Sequence, residues 1–203
     1  MQHENFSPSA NPLIGREVEV REIRALLADP ACRLLTLVGP GGIGKTTLAL
    51  RLAAEMQAQF PDGVAIVPLQ AVQTADFIAP AIADALGLTL SGTSEPLTQI
   101  CQYLHDKASL LVLDNLEHLL PGVDMVTALL GRAPNCKLLA TSREALNLRD
   151  EWLFPVHGLA YPLDAAAGVP ADYAAVQLFG ERARRVRPDF ALADEYAGVL
   201  RIC

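Results

Sequence analysis

The sequence predicts an α/β fold: three layers, α/β/α, around a mainly parallel five-stranded sheet, followed by the start of a helical subdomain. Three observations predict it. Short apolar runs alternate with amphipathic segments from residue 16 to about residue 156, and strands alternating with helices make a parallel sheet covered on both sides. One run, Ser109-Leu110-Leu111-Val112-Leu113-Asp114, is apolar on both faces, as a central parallel strand is. From about Ala171 the pattern changes to helix only.

The elements follow in order. Residues 1–11 are polar and proline-bearing and read as a flexible tail. Residues 16–29 read as a helix, with Val20, Ile23, Leu26 and Leu27 on one stripe and Pro30 after it. Residues 33–38 form a buried strand, and 46–58 a helix with Leu48, Leu52 and Met56 on one face. Pro61-Asp62-Gly63 is a turn, and 64–69 a second strand. Helices are expected at 74–87, ending at Gly87, and at 95–107. The third strand is 109–114, a helix lies between 123 and 132, and 136–141 is the fourth strand. The fifth, 152–156, contains Pro155 and is expected near a sheet edge. Helices follow at 172–187 and 194–203. The expected division is a tail at 1–11, an α/β domain at 12–165 and a helical, lid-like subdomain at 166–203. No Gly, Pro or polar cap follows the last helix, so the segment is expected to be cut mid-element from a longer protein.

Composition narrows the class. Half of the 203 residues are apolar (51%) and 19% are charged, which suits a packed core rather than disorder. The net charge of −7 argues against this segment contacting DNA directly. The four cysteines (Cys32, Cys101, Cys136 and Cys203) form no C-x-x-C, so they read as reduced apolar residues rather than a metal or redox site. Residues 1–12 carry no hydrophobic segment of the signal-peptide kind and no apolar run is long enough to span a bilayer, so a cytoplasmic location is expected.

Between the first strand and the second helix lies Gly39-Pro40-Gly41-Gly42-Ile43-Gly44-Lys45-Thr46-Thr47, which fits the phosphate-binding P-loop pattern. Its strand-loop-helix setting is the geometry in which backbone N–H groups of Gly41, Gly42, Ile43, Gly44 and the helix start, through Thr47, aim at phosphates. Lys45 would bridge the β- and γ-phosphates, and the Thr46 hydroxyl would hold Mg²⁺.

Asp114 ends the third strand, where a carboxylate downstream of a P-loop holds Mg²⁺ through its water shell. The next position is Asn115, which can position a water but cannot take its proton. Glu117 either takes that proton or is a solvated carboxylate at a helix start. The fourth strand ends Thr141-Ser142-Arg143. Arg143 either contacts the γ-phosphate or is a surface charge, and Thr141 and Ser142 could fix the loop. Arg182, Arg184, Arg185 and Arg187 read either as a solvated face or as a partner or nucleotide contact, and His105, His118 and His157 lack ligand spacing.

These residues resemble the NB-ARC-type ATPase module of the STAND class, in the form found in large bacterial transcriptional regulators. The pieces that carry the resemblance are Leu13-Ile14-Gly15-Arg16-Glu17-Val18-Glu19, the GPGGIGKTT loop, LLVLDNLEHLL from Leu110, LLATSREAL from Leu138, and AVQLFGERARRVRPDFAL from Ala175. The resemblance implies a switch: ADP holds a closed resting state, ATP opens it and permits self-association, and slow hydrolysis resets it. It implies that Ile14 and Arg16 contact the adenine and that Arg143 senses the γ-phosphate. The expected ligands are thus ATP or ADP with Mg²⁺, with no membrane or nucleic-acid partner for this segment. A motor-type turnover ATPase and a non-hydrolysing interaction module are the alternatives.

Overall fold

The computed structural model describes residues 13–92, 94–162 and 173–202. The tail expected at 1–11, the boundary expected at 165–166 and the end at Cys203 lie outside them. The described residues fall into two compact units, one of residues 19–156 and one of residues 13–18 with those from 157 onward.

The first unit is built on five strands: β1 (Leu34–Val38), β2 (Val64–Pro68), β3 (Leu110–Asp114), β4 (Lys137–Ser142) and β5 (Glu151–Pro155). They form one sheet in the order β2-β3-β4-β1-β5, and every neighbouring pair is parallel. Burial follows that order. β1, β3 and β4 are interior and almost wholly buried, while the outer strands β2 and β5 are half exposed. β5 takes the edge position expected from Pro155, whose missing N–H costs no ladder bond there.

The helices of this unit are α1 (Glu17–Ala28, which begins in the other unit), α2 (Lys45–Met56), α3 (Ile78–Ala85), α4 (Pro96–Leu104) and α5 (Asp124–Arg132). On one face of the sheet, Leu111, Leu113, Leu138 and Ala140 join Ile78, Ile82, Ile100, Leu104, Val126 and Leu129 in a single apolar cluster. Leu35, Leu37, Val112 and Leu139 alternate to the opposite face, and α2 packs across β1 to β4 with Leu48, Leu52 and Met56 buried.

Some boundaries differ from the sequence reading, each for a local reason. The helix expected at 74–87 is a 3₁₀ turn, Ala75–Phe77, followed by α3. Pro80 has no N–H to give and is tolerated only in a first turn, so the α-helix starts just before it. The helix at 95–107 is α4, with Pro96 at its first turn and a closing turn in which Lys107 N–H donates to Leu104 O at 3.0 Å. A 3₁₀ helix at Glu117–Gly122, with Pro121 inside it, precedes α5 and was not expected.

At the amino ends of the strands, basic side chains tie loops to the sheet. Lys137 Nζ donates to Leu27 O (2.7 Å) and Asp29 O (2.5 Å), and burial holds its pKa below the ordinary lysine value. Arg33 Nη2 donates to Ala133 O (2.6 Å). Cys32 and Cys136 are buried beside these groups, and burial pushes their thiols up to about 11 and about 12. Below the ordinary thiol value of 9.0, folded and unfolded chains both hold these protons. Above it the unfolded chain releases them first, so stability is lost as pH rises from about 9 towards about 12. Melting temperature is expected to fall over that range, and Cys136→Ala to flatten the fall in thermal scans at stepped pH.

In the second unit, α6 (Ala174–Val186) and α7 (Tyr196–Leu200) carry the helical pattern, shorter than the expected 172–187 and 194–203. Phe179 meets Phe190 edge-on with ring centroids 6.0 Å apart. Arg185 pairs with Glu181, and Arg187 reaches Asp189 (3.6 Å) and Glu195 (3.5 Å) on the surface.

Candidate functional site

Because all five strands are parallel, their carboxyl ends share one edge, and β4 lies between β1 and β3. That order brings the P-loop after β1, Asp114 at the end of β3 and Thr141 on β4 to one place. Ligands of open parallel sheets bind at such carboxyl edges.

The loop between β1 and α2 has Gly42 at φ 78° and Gly44 at φ 101°, the left-handed region that glycine enters without a side-chain penalty. Gly44 is also the N-cap of α2, which no side chain caps. The first N–H groups of the helix are therefore open to an anion. Gly39 is required by crowding instead. A β-carbon there would stand 2.8 Å from Val156 O, and Val156 is pinned because its N–H donates to Val38 O at 2.7 Å. Lys45 is buried, and its Nζ donates to the loop carbonyls of Gly39 (2.7 Å) and Pro40 (3.0 Å). The loop thus holds the ammonium against its own backbone, while Thr46 and Thr47 are exposed beside it.

Asp114 joins the strands. Its Oδ1 accepts from Thr46 Oγ1 at 2.7 Å and from Thr141 Oγ1 at 2.6 Å. Thr141 is buried, and its hydroxyl also accepts from Asn115 N–H at 2.8 Å. Leu116 N–H donates to Thr141 O at 2.9 Å. Asn115 has φ 70°, a left-handed conformation that asparagine tolerates, and it turns the chain sharply away from β3. His118 braces this turn: its Nε2 lies 2.7 Å from Val72 O and its Nδ1 3.3 Å from the Asn115 amide.

Arg143 and Glu117 face each other at the same edge. Arg143 Nε donates to Glu117 Oε1 at 2.9 Å. The arginine side chain is 68% exposed and that of the glutamate 14%. The guanidinium also lies against the P-loop, since a β-carbon on Gly41 would stand 3.5 Å from Arg143 Cζ.

Of the residues singled out in the sequence, those from Gly39 to Thr47, with Asp114, Glu117 and Arg143, gather at this edge. Ile14 and Arg16 belong to the second unit, where Ile14 is half-buried and Arg16 buried. Sequence reasoning gave Thr141 only a loop-fixing role and passed over Val156 and the bracing by His118. Thr141 carries a signal in hindsight, a hydroxyl at the end of an apolar strand two residues before Arg143. Its importance depends on β4 lying between β1 and β3.

The fold and loop define the chain's class, and comparison with known proteins supplies the family. The sequence profile described as AAA domain matches residues 29–147. The chain belongs to this family and has the P-loop NTPase fold. It is 36% identical over 192 residues to an uncharacterized protein of Mycobacterium tuberculosis, covering 94% of this chain and 46% of that one. It is 34% identical over 183 residues to a putative HTH-type transcriptional regulator of the same organism, covering 89% of this chain and 19% of that one. It thus spans about half the length or less of these relatives. Among solved structures, Cdc6p from Pyrobaculum aerophilum superposes with a TM-score of 0.62 at 21% identity, over 89% of this chain and 52% of that one. A Signal Transduction ATPase with Numerous Domains, with a tetratricopeptide repeat sensor, from Pyrococcus horikoshii gives 0.50 at 15% identity, over 99% of this chain and 29% of that one. At such identities the structures speak for the fold alone. No helix of the described residues is long and apolar enough to cross a membrane.

Proposed function

We propose that this chain is the nucleotide-operated switch of a larger signal-responsive regulator, binding ADP or ATP with Mg²⁺ and hydrolysing ATP slowly. The observation that carries the reading is the contact of Thr46 Oγ1 with Asp114 Oδ1, 2.7 Å, beside the glycine-rich loop. It sets two hard oxygen donors next to a phosphate cradle, the donor chemistry that Mg²⁺ with a nucleotide prefers. When bound, the cation offsets phosphate charge. The chain's residues do the rest. The N–H groups from Gly41 to Thr47 hold phosphate oxygens, Lys45 gives its ammonium to the β- and γ-phosphates, and Arg143 reads the γ-phosphate. Ile14 and Arg16 are assigned to the adenine by resemblance to the NB-ARC-type modules.

Slow hydrolysis is supported by the residues just past Asp114. Asn115 cannot accept a proton, and the nearest carboxylate, Glu117, is engaged by Arg143. A regulatory role is supported by the kind of protein that shares the sequence, a putative HTH-type transcriptional regulator and the regulatory protein AfsR of Streptomyces griseus, 29% identical over 64% of this chain. Self-association in the ATP state completes the reading.

Calorimetric titration of ADP and of ATP, each with Mg²⁺, is the test, joined to a phosphate-release assay. Both nucleotides are expected to bind, ADP at least as tightly as ATP, with turnover below about 10⁻² per second. Sustained turnover of several per second would overturn the switch reading in favour of a motor-type ATPase, and failure of the wild-type protein to bind either nucleotide would overturn the site.

A further inference from the structure

We infer that Glu117 is a positioning residue that holds Arg143 away from the γ-phosphate and so biases the site towards the diphosphate. The inference rests on the nucleotide-binding reading above and assigns Glu117 a part in it other than proton transfer.

Three observations carry it. First, the pair is close and lopsided: Glu117 Oε1 takes the Arg143 Nε–H at 2.9 Å, with the glutamate side chain 14% exposed and the arginine 68% exposed. The carboxylate is the fixed partner and the guanidinium the movable one. Second, Glu117 Oε2 is buried without a hydrogen-bond partner among the described residues. Its other oxygen accepts from Arg143, so losing that contact as well would leave a buried carboxylate without either hydrogen bond, at a cost. Third, the guanidinium already lies against Gly41 of the P-loop, so it borders the phosphate cradle while bound to Glu117.

The turn that carries Glu117 is itself fixed. Asn115 N–H and Leu116 N–H both donate to Thr141, at 2.8 Å to its hydroxyl and 2.9 Å to its carbonyl, and Leu119 is buried beneath. The backbone beneath the carboxylate therefore stays in place when the guanidinium turns towards a ligand, and the buried glutamate side chain has less room to move than the exposed arginine.

ADP and ATP differ by one phosphoryl group, and that group is the one Arg143 would reach. Binding ATP means exchanging the Glu117 contact for a γ-phosphate contact while the carboxylate remains nearby and repels the added charge. ADP asks for neither change. Removing the charge of Glu117 should thus favour ATP over ADP, and should do so through Arg143. A general base predicts something different: loss of hydrolysis with the equilibrium preference between the nucleotides unchanged.

The test is calorimetric titration of Mg-ADP and of a Mg-bound ATP analogue with a non-hydrolysable β–γ imido bridge. The proteins are wild type, Glu117→Gln, Arg143→Gln and the double variant. Glu117→Gln is expected to raise the affinity ratio of analogue to ADP by about three- to tenfold, the range of one partly exposed charge pair. In the Arg143→Gln background the same change should move the ratio less than twofold. A ratio unmoved by Glu117→Gln, or moved equally with and without Arg143, overturns the inference while leaving nucleotide binding intact. Wild-type protein that binds neither nucleotide overturns the site reading and this inference with it. If Glu117→Gln proves unstable on melting, Glu117→Asp, one methylene shorter and still charged, should also loosen Arg143 and raise the ratio, and an unchanged ratio there counts against the lock.

Discussion

Lys45→Ala is expected to weaken ADP and ATP binding by about 100-fold or more while the chain stays folded. A charge-assisted bond to phosphate contributes about 1.5–3 kcal/mol, and this ammonium would make more than one. The unliganded loop also uses Lys45, whose Nζ donates to the carbonyls of Gly39 and Pro40. Its loss removes two bonds at the loop mouth, where water can replace them, so the stability change should stay near about 1 kcal/mol. Titration gives the first number and thermal melting the second. Lys45→Met keeps the buried stem and should show the same loss of affinity with a smaller change in melting temperature. Unaltered affinity in a folded Lys45→Ala protein would remove the P-loop from the binding site.

The second large effect is expected at Asp114, where two substitutions should separate binding from stability. Asp114→Asn keeps an oxygen that can accept from Thr46 and Thr141 but removes the charge. Its melting temperature should stay close to wild type, while the gain in nucleotide affinity from added Mg²⁺ should disappear, since Mg²⁺ relies on carboxylate oxygen. Asp114→Ala also strips the buried Thr141 hydroxyl of its acceptor, at a cost of about 1–3 kcal/mol. Titrations with Mg²⁺ and with chelator, beside thermal melts, check both. Mg²⁺-dependent binding that survives Asp114→Asn would detach this carboxylate from the cation.

Much of this site was legible in the chain because its chemistry is local. The P-loop is contiguous in sequence, and the reason for Gly42 and Gly44, a positive φ, belongs to each residue alone. Asp114 could be found because it closes an apolar strand. The helix start at Ile78 and the 3₁₀ turn at Glu117–Gly122 were less legible. There the apolar period is interrupted by Pro80 and Pro121, and packing decides which short helix forms.

Periodicity, backbone sterics and motif spacing act within a few residues, and they were enough to specify most of the elements, the parallel α/β class and the glycine-rich P-loop. Strand order came only with the folded molecule, and with it the choice of which distant residues meet. With β4 between β1 and β3, Thr141 bridges Asp114 and Asn115. With β5 beside β1, the Val156 carbonyl closes over Gly39. Glu117 and Arg143, 26 residues apart, become partners. Such contacts depend on how strands are ordered across a sheet, and hydrophobic pattern records which residues are buried without recording which strand lies beside which.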